Sequence, residues 1–186
     1  MLWLWILLGV VVVLVVLAAV GYNRLVRLRN EADTGWANID VQLQRRADLI
    51  PNLVEAVRGY AAHERGVFEE VTKARTALQQ ARTPGAAGDA NDILTAALGR
   101  LFAVAEAYPD LKASENFLRL QEELTDTEDK ISAARRYYNS TVMHYNTAIQ
   151  SIPWVLVATP LGFREKEFFS AAGDTEPPQV SFAPAP

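Results

Sequence analysis

The sequence predicts an all-α protein: an N-terminal transmembrane helix followed by an antiparallel helical bundle of three long helices and a short fourth. Three observations lead there. Residues 2–20 are an uncharged apolar run, apolar residues recur at seven-residue spacing from Trp36 to Leu78, and the same spacing returns from Phe117 to Tyr145. No stretch alternates apolar and polar residues as a half-buried strand would. The expected organisation is a transmembrane anchor at residues 1–21, a helical bundle at 22–169 and a disordered Pro-rich tail at 170–186.

The run LWLWILLGVVVVLVVLAAV has the length, about 20 apolar residues, that a helix needs to cross the hydrocarbon core. Arg24, Arg27 and Arg29 follow it, so the positive-inside rule places the remainder of the chain in the cytoplasm. Trp3 and Trp5 suit the opposite interface. The expected location is the bacterial inner membrane, single-pass, with the N-terminus outside. A cleaved secretory signal is the competing reading, but it would begin with basic residues, and only the amino terminus precedes this run. The lipid bilayer is therefore the first expected partner, although three arginines fall short of the about 4–8 basic residues of lipid-binding clusters.

Composition narrows the function. The chain has 186 residues, 50% of them hydrophobic, enough for one domain with a core. A net charge of -4 and a pI near 5.3 leave no basic footprint for nucleic acid. With no cysteine, disulfides, thiolate metal sites, thiol catalysis and a lipid-modified N-terminal Cys are all excluded.

The first long helix carries Trp36, Leu43, Ile50, Val57, Glu64, Val71 and Leu78 at one heptad position, with Ile39, Arg46, Leu53, Tyr60, Val67 and Ala74 three further on. That is a helix packed on helices. Pro51 removes a backbone donor, so a kink is expected there without a break, because the apolar register continues. The helix ends near Arg82, TPGAAGD supplies a break with GAAG as a hinge, and Asp89 is positioned to cap the next helix. That helix presents Ile93, Ala97, Leu98, Leu101, Ala105 and Tyr108 on one side, and YPD at Tyr108 closes it. A third runs to about Gln150 with Phe117, Leu124, Ile131, Tyr138 and Tyr145 on its seam and Leu120, Thr127, Ala134, Thr141 and Ala148 between them. Pro153 and Pro160 bracket WVLVAT, which has room for one or two helical turns. The ending GDTEPPQVSFAPAP has the composition of a disordered tail and lacks a clear Pro-rich docking signature.

Up-down-up order would make the first and third helices parallel; a further helix sharing the core would allow them to be antiparallel. If they are adjacent and antiparallel, Arg46 meets Glu128 and Asp40 meets Arg135, each matching opposite charges. Polar residues on such a seam commonly select partner and register at a cost in stability. The chemical alternative makes Glu64 and Glu128 a carboxylate pair for acid-base or metal work. It lacks the expected ligands: Tyr60 and Thr141 stand three residues before His63 and His144, where a di-iron bundle has Glu, and in HERGV the place of a zinc helix's second His is taken by Val67. No nucleophile elbow or phosphate loop is present. Catalytic, cofactor and metal sites are accordingly expected to be absent. Tyr138 and Tyr145, each followed by Asn, lie on one stripe, where a buried ring with a hydroxyl reaching a partner is the favoured reading over a ligand-binding stripe.

The segments YNRLVRLRN, WANIDVQLQRRADLIPNLVEAVRGYAAHE, ALGRLFAVAEAYPDLKASENFLRLQEELTDTEDKISAARRYYNSTVMHYN and LGFREKEFF resemble the LemA family. The resemblance spans residues 2–169, and RRADLIPNLV and AYPDLKA are its most specific blocks. It implies a single-span membrane protein with a small external N-terminus and a cytoplasmic four-helix bundle. It implies no catalytic residues. Carried onto this sequence, its blocks mark Arg45, Arg46, Asp48, Pro51, Glu64, Tyr108, Pro109, Lys112, Glu128 and Tyr138 as structural or interaction positions. Ala47, Thr34-Gly35 and Trp154 depart from the pattern.

The leading expectation is a membrane-anchored cytoplasmic scaffold or adaptor, not an enzyme, acting through a protein partner or self-assembly. Its interaction candidates are Asp40, Arg46, Pro51, Glu64, Glu128, Arg135 and Tyr138, with Arg24, Arg27 and Arg29 at the membrane. Two rivals remain at this stage: a metal-dependent or catalytic bundle, and an accessory factor for an envelope-stress or membrane-protease system.

Overall fold

The computed structural model describes residues 1–169; the expected tail at 170–186 lies outside the described residues. Six helices occupy them: α1 (Leu2–Arg58), α2 (Arg65–Gln80), α3 (Pro84–Ala105), α4 (Pro109–Lys112), α5 (Glu115–Gln150) and α6 (Val155–Ala158). There is no strand among the described residues. The chain divides into two compact units. One combines Met1–Ile39 with Ala133–Glu167; the other contains Asp40–Ser132 together with Phe168 and Phe169. Helices α1 and α5 contribute to both.

In the unit containing Asp40–Ser132 the expected long helix is two helices. Pro51, exposed on the surface, is accommodated inside α1, and the chain turns instead between Arg58 and Arg65. Gly59, with no side chain, starts that turn, Tyr60 N–H and Ala61 N–H both donate to Val57 O at 3.0 and 2.9 Å, and Ala61 is fully buried at the corner. Glu64 is exposed where the heptad count had placed it in the seam, and Phe68, not Val67, is the buried residue of the following turn. The pattern had concealed the corner because Val71, Ala74 and Leu78 resume in register and are buried.

The extra reversal settles the helix order. Arg58 lies over the Phe68 ring, 5.5 Å from its centroid, and Arg75 Nε donates to Ala47 O at 2.7 Å, so α2 runs back along α1. Helix α3 packs on α2, where Arg100 bonds Glu70, and α5 returns so that Arg45 and Arg46 meet Asp126 and Glu128. Four helical segments make the bundle, and α1 and α5 are antiparallel. The fourth helix that the family resemblance implied is thus α2, split from the expected first long helix, with α6 an additional short helix.

Helix α3 starts earlier than expected. Thr83 caps it by accepting from Ala86 N–H at 3.3 Å, and Pro84 follows at the first helical position, a Thr-Pro pair suited to a helix start because Pro has no N–H to leave unsatisfied. GAAG is therefore helical, not a hinge, and Asp89 lies inside the helix. Leu94 is fully buried while Ile93 is 56% exposed, a shift of one residue from the expected face; Ala97, Leu98, Leu101 and Ala105 are buried as expected.

In the unit that combines Met1–Ile39 with Ala133–Glu167, Leu25 of α1 packs against Tyr145, Ala148 and Ile149 of α5 and against Ala158 and Phe163, with Trp154 covering them. The α1 and α5 backbones approach closely where Gly35 faces Tyr138: a Cβ on Gly35 would stand 3.3 Å from the Tyr138 Cα. Ahead of this core, the apolar residues of α1 from Leu2 to Leu17 stand exposed. Among the described residues α1 is the helix long and apolar enough to cross a membrane, with a mean hydropathy of 3.0 over a window that is only 6% buried. A run this apolar and this uncovered is not the core helix of a soluble domain.

Candidate functional site

Two polar constellations stand out, one in each unit. The first centres on Arg46, which is 4% exposed. Asn91 and Thr95, one turn apart on α3, and Glu128 on α5 converge on its guanidinium. Nη1 donates to Asn91 Oδ1 at 2.5 Å, Nη2 donates to Thr95 Oγ1 at 3.0 Å, and Nη1 also lies 2.5 Å from Glu128 Oε2. The last contact is a close ion pair without hydrogen-bond alignment, because Glu128 Oε2 has no bonded donor, nor has Arg46 Nε an acceptor. Burial pulls Arg46 below the ordinary guanidinium range, while Glu128 and Asp92 favour its charge. Arginine stays protonated in proteins, so the group is a fixed cation linking three helices and is unsuited to proton transfer.

The second constellation holds residues 164–167 against α5. Tyr138 Oη donates to Glu167 O at 2.7 Å and Tyr145 Oη to Arg164 O at 2.9 Å. Between them, Asn146 takes both sides of one residue: its Nδ2 donates to Lys166 O at 2.9 Å and its Oδ1 accepts from Lys166 N–H at 3.0 Å. Gln150 Nε2 donates to Glu165 Oε1 at 2.7 Å, and Lys166 Nζ reaches Asp33 on α1 at 2.6 Å. The spacing explains itself. Two turns of helix, the seven residues from Tyr138 to Tyr145, rise about 10.5 Å, and three residues of extended chain reach about 10 Å. Both tyrosine rings are buried, at 2% and 1% exposure, and their hydroxyls reach partners at the edge as the sequence reading favoured. Burial, then Asp33 and Glu167, push the Tyr138 hydroxyl up to about 12; burial also raises Tyr145, with Asp33 adding and Arg29 and the bond to Arg164 opposing. Both remain donors at physiological pH.

Of the residues singled out from sequence, Arg46 and Glu128 are brought together and Tyr138 is anchored in the second constellation. Asp40 and Arg135 fall in different units, and neither forms an ion pair among the described residues. Pro51 is exposed within α1 and Glu64 is exposed at the start of α2, making no side-chain capping bond. Arg24, Arg27 and Arg29 are exposed on α1, and Arg29 lies 4.0 Å from Asp33. Among the described residues no three His, Asp or Glu side chains gather closely enough to share a metal ion. Sequence reading missed Asn91, Thr95 and Lys166. Asn91 and Thr95 did leave a signal, as polar residues four apart flanking the apolar Leu94.

The family model described as the LemA family matches residues 35–182. The magnetosome protein MamQ of Magnetospirillum gryphiswaldense is 30% identical over 182 residues, covering 83% of this chain and 67% of that protein. MamQ 1 of Paramagnetospirillum magneticum is similar to the same degree, 30% over 182 residues. Protein LemA of Metamycoplasma hominis is 28% identical over 154 residues, covering 81% of this chain and 69% of its own length.

Proposed function

This chain belongs to the LemA family, and from that membership and its architecture we propose that it is a membrane-anchored scaffold or adaptor whose helical bundle recruits a protein partner or assembles with itself. One observation carries the reading. Helix α1 continues from the exposed apolar run into the Leu25 core of the same unit, so the same element is anchor and framework. A catalyst gains little from such a tether, whereas a protein that must present a surface beside the bilayer gains definition from it.

In this reading residues 2–20 span the inner membrane with the N-terminus outside, and Arg24, Arg27 and Arg29 hold the following residues on the cytoplasmic side. The polar centres support a non-enzymatic role, since Arg46, Glu128, Tyr138 and Tyr145 are engaged in holding helices and backbone together. The relatives' names, a magnetosome protein and protein LemA, are not names of enzymes.

Chemical cross-linking of the full chain in its native membrane, read by mass spectrometry, tests this. Links at defined positions between copies, or repeatedly to one other protein, are the expected outcome. Links confined to single copies of the chain would overturn it.

A further inference from the structure

The segment of residues 151–163, SIPWVLVATPLGF, contains no charged residue, whereas each of residues 164–167 that follow it, REKE, is charged. It does not bury its apolar side chains on itself. Ile152 is 84% exposed, Leu156 73% and Leu161 53%. Exposed aliphatic residues on one short segment ordinarily mark a surface that something covers.

Where the segment sits identifies what covers it. The Trp154 ring lies directly against Gly21, so closely that a Cβ there would fall among the ring atoms. At the other end Phe163 meets Tyr22 edge to face, with ring centroids 5.7 Å apart. Both ends are thus fastened to the two α1 residues that immediately follow the apolar run at 2–20, and Arg24, Arg27 and Arg29 begin one turn further on. If the run spans the bilayer, Gly21 and Tyr22 emerge at the boundary between acyl chains and headgroups. That is the depth at which Trp and Tyr rings settle and at which short amphipathic segments embed.

We infer that residues 152–161 form a second membrane contact, dipping Ile152, Leu156 and Leu161 into the headgroup–acyl boundary beside α1 while Trp154 and Phe163 fasten the segment to the helix. The inference rests on the anchor reading above. Its consequence is mechanical: a single span can rotate and tilt, whereas a span with a lateral interfacial foot has a fixed rotational setting. The arginines, placed just beyond, then face the phosphate layer and favour anionic lipid.

The absence of cysteine from the sequence makes the test direct. Single cysteines replace Val13 in the apolar run, Leu156 in the segment and exposed Thr76 on α2, each in the full chain, and carry a nitroxide label in phosphatidylethanolamine/phosphatidylglycerol liposomes. Power saturation compares relaxation by oxygen, which concentrates in the bilayer, with relaxation by a water-soluble nickel chelate. Oxygen dominance at Val13 and Leu156 with nickel dominance at Thr76 is expected, and a Leu161→Cys label should repeat the Leu156 result. Oxygen dominance at Val13 with a Leu156 label as nickel-accessible as Thr76 overturns the inference and leaves the anchor standing. A Leu156 label shielded from both reagents and broadened by a neighbouring spin also overturns it, by assigning the surface to a second copy. Nickel dominance at Val13 removes the anchor reading, and the inference with it.

Discussion

Asn146 on α5 holds the backbone of Lys166 from both sides, donating to its carbonyl and accepting from its N–H. A side-chain amide used this way copies a strand partner: it satisfies backbone that leaves the helix, independent of the side chain carried there. Asn146→Asp keeps the acceptor and removes the donor, while Asn146→Ala removes both. Each lost bond leaves a part-buried backbone group unpaired, so a loss of about 1–3 kcal/mol is expected for Ala and less for Asp. Hydrogen exchange localises the effect: the Lys166 amide should lose protection in Asn146→Ala and retain it in Asn146→Asp. Equal loss in both would show that the acceptor contributes nothing.

The Arg46 cluster predicts an unequal response to removing either partner. Glu128 is 40% exposed at its side chain and can be rehydrated, whereas Arg46, at 5%, cannot. Glu128→Gln therefore strands a buried cation and should cost about 2–3 kcal/mol, below the full range for a buried pair because Asn91 and Thr95 still accept from it. Adding Arg46→Met should recover part of that loss, since an unbranched apolar chain replaces the buried charge. Urea unfolding of the two single variants and the double variant in detergent gives the coupling; strict additivity would mean that the pair does not interact.

What was legible beforehand and what was not divides along physical lines. The α5 seam was legible because burial on a helix repeats: Phe117, Leu124, Ile131, Tyr138 and Tyr145 are all buried. The Arg46–Glu128 pair was legible as opposite charges intruding on two seams. The corner at Gly59 was hidden because heptad counting follows spacing and is blind to a turn after which the register resumes. The attachment of residues 164–167 was hidden for another reason: three of its bonds are received by carbonyls and one is given by an N–H, groups common to every residue and therefore absent from any side-chain pattern.

Tyr138 predicts an alkaline limit to stability. Its hydroxyl is raised from an ordinary 10 to about 12 in the folded chain. A folded-state value above the unfolded one means that the native state holds the proton more tightly, so the stabilisation is fully present below about pH 10 and is lost as the pH rises toward 12. Tyr145 shifts in the same direction. Urea midpoints followed from pH 8 to 11.5 should fall more steeply for the unaltered chain than for Tyr138→Phe, which has no proton to lose there. Parallel curves would refute the assignment.

Gly21 predicts a steric effect independent of any lipid. A side chain at Gly21 would occupy the space of the Trp154 ring, whereas nothing lies within 4 Å of a Cβ built on Gly9. With Trp3, Trp5 and Trp36 changed to Phe, Trp154 becomes the single reporter among the chain's 4 tryptophans. In detergent, Gly21→Val should displace the ring from α1, raising acrylamide quenching and shifting its emission, while Gly9→Val should leave both unchanged. The backbone cannot relieve the clash cheaply, because Gly21 lies within a continuous helix and the Leu25 core follows one turn later. An unchanged Trp154 signal in Gly21→Val would therefore place the ring somewhere other than against α1.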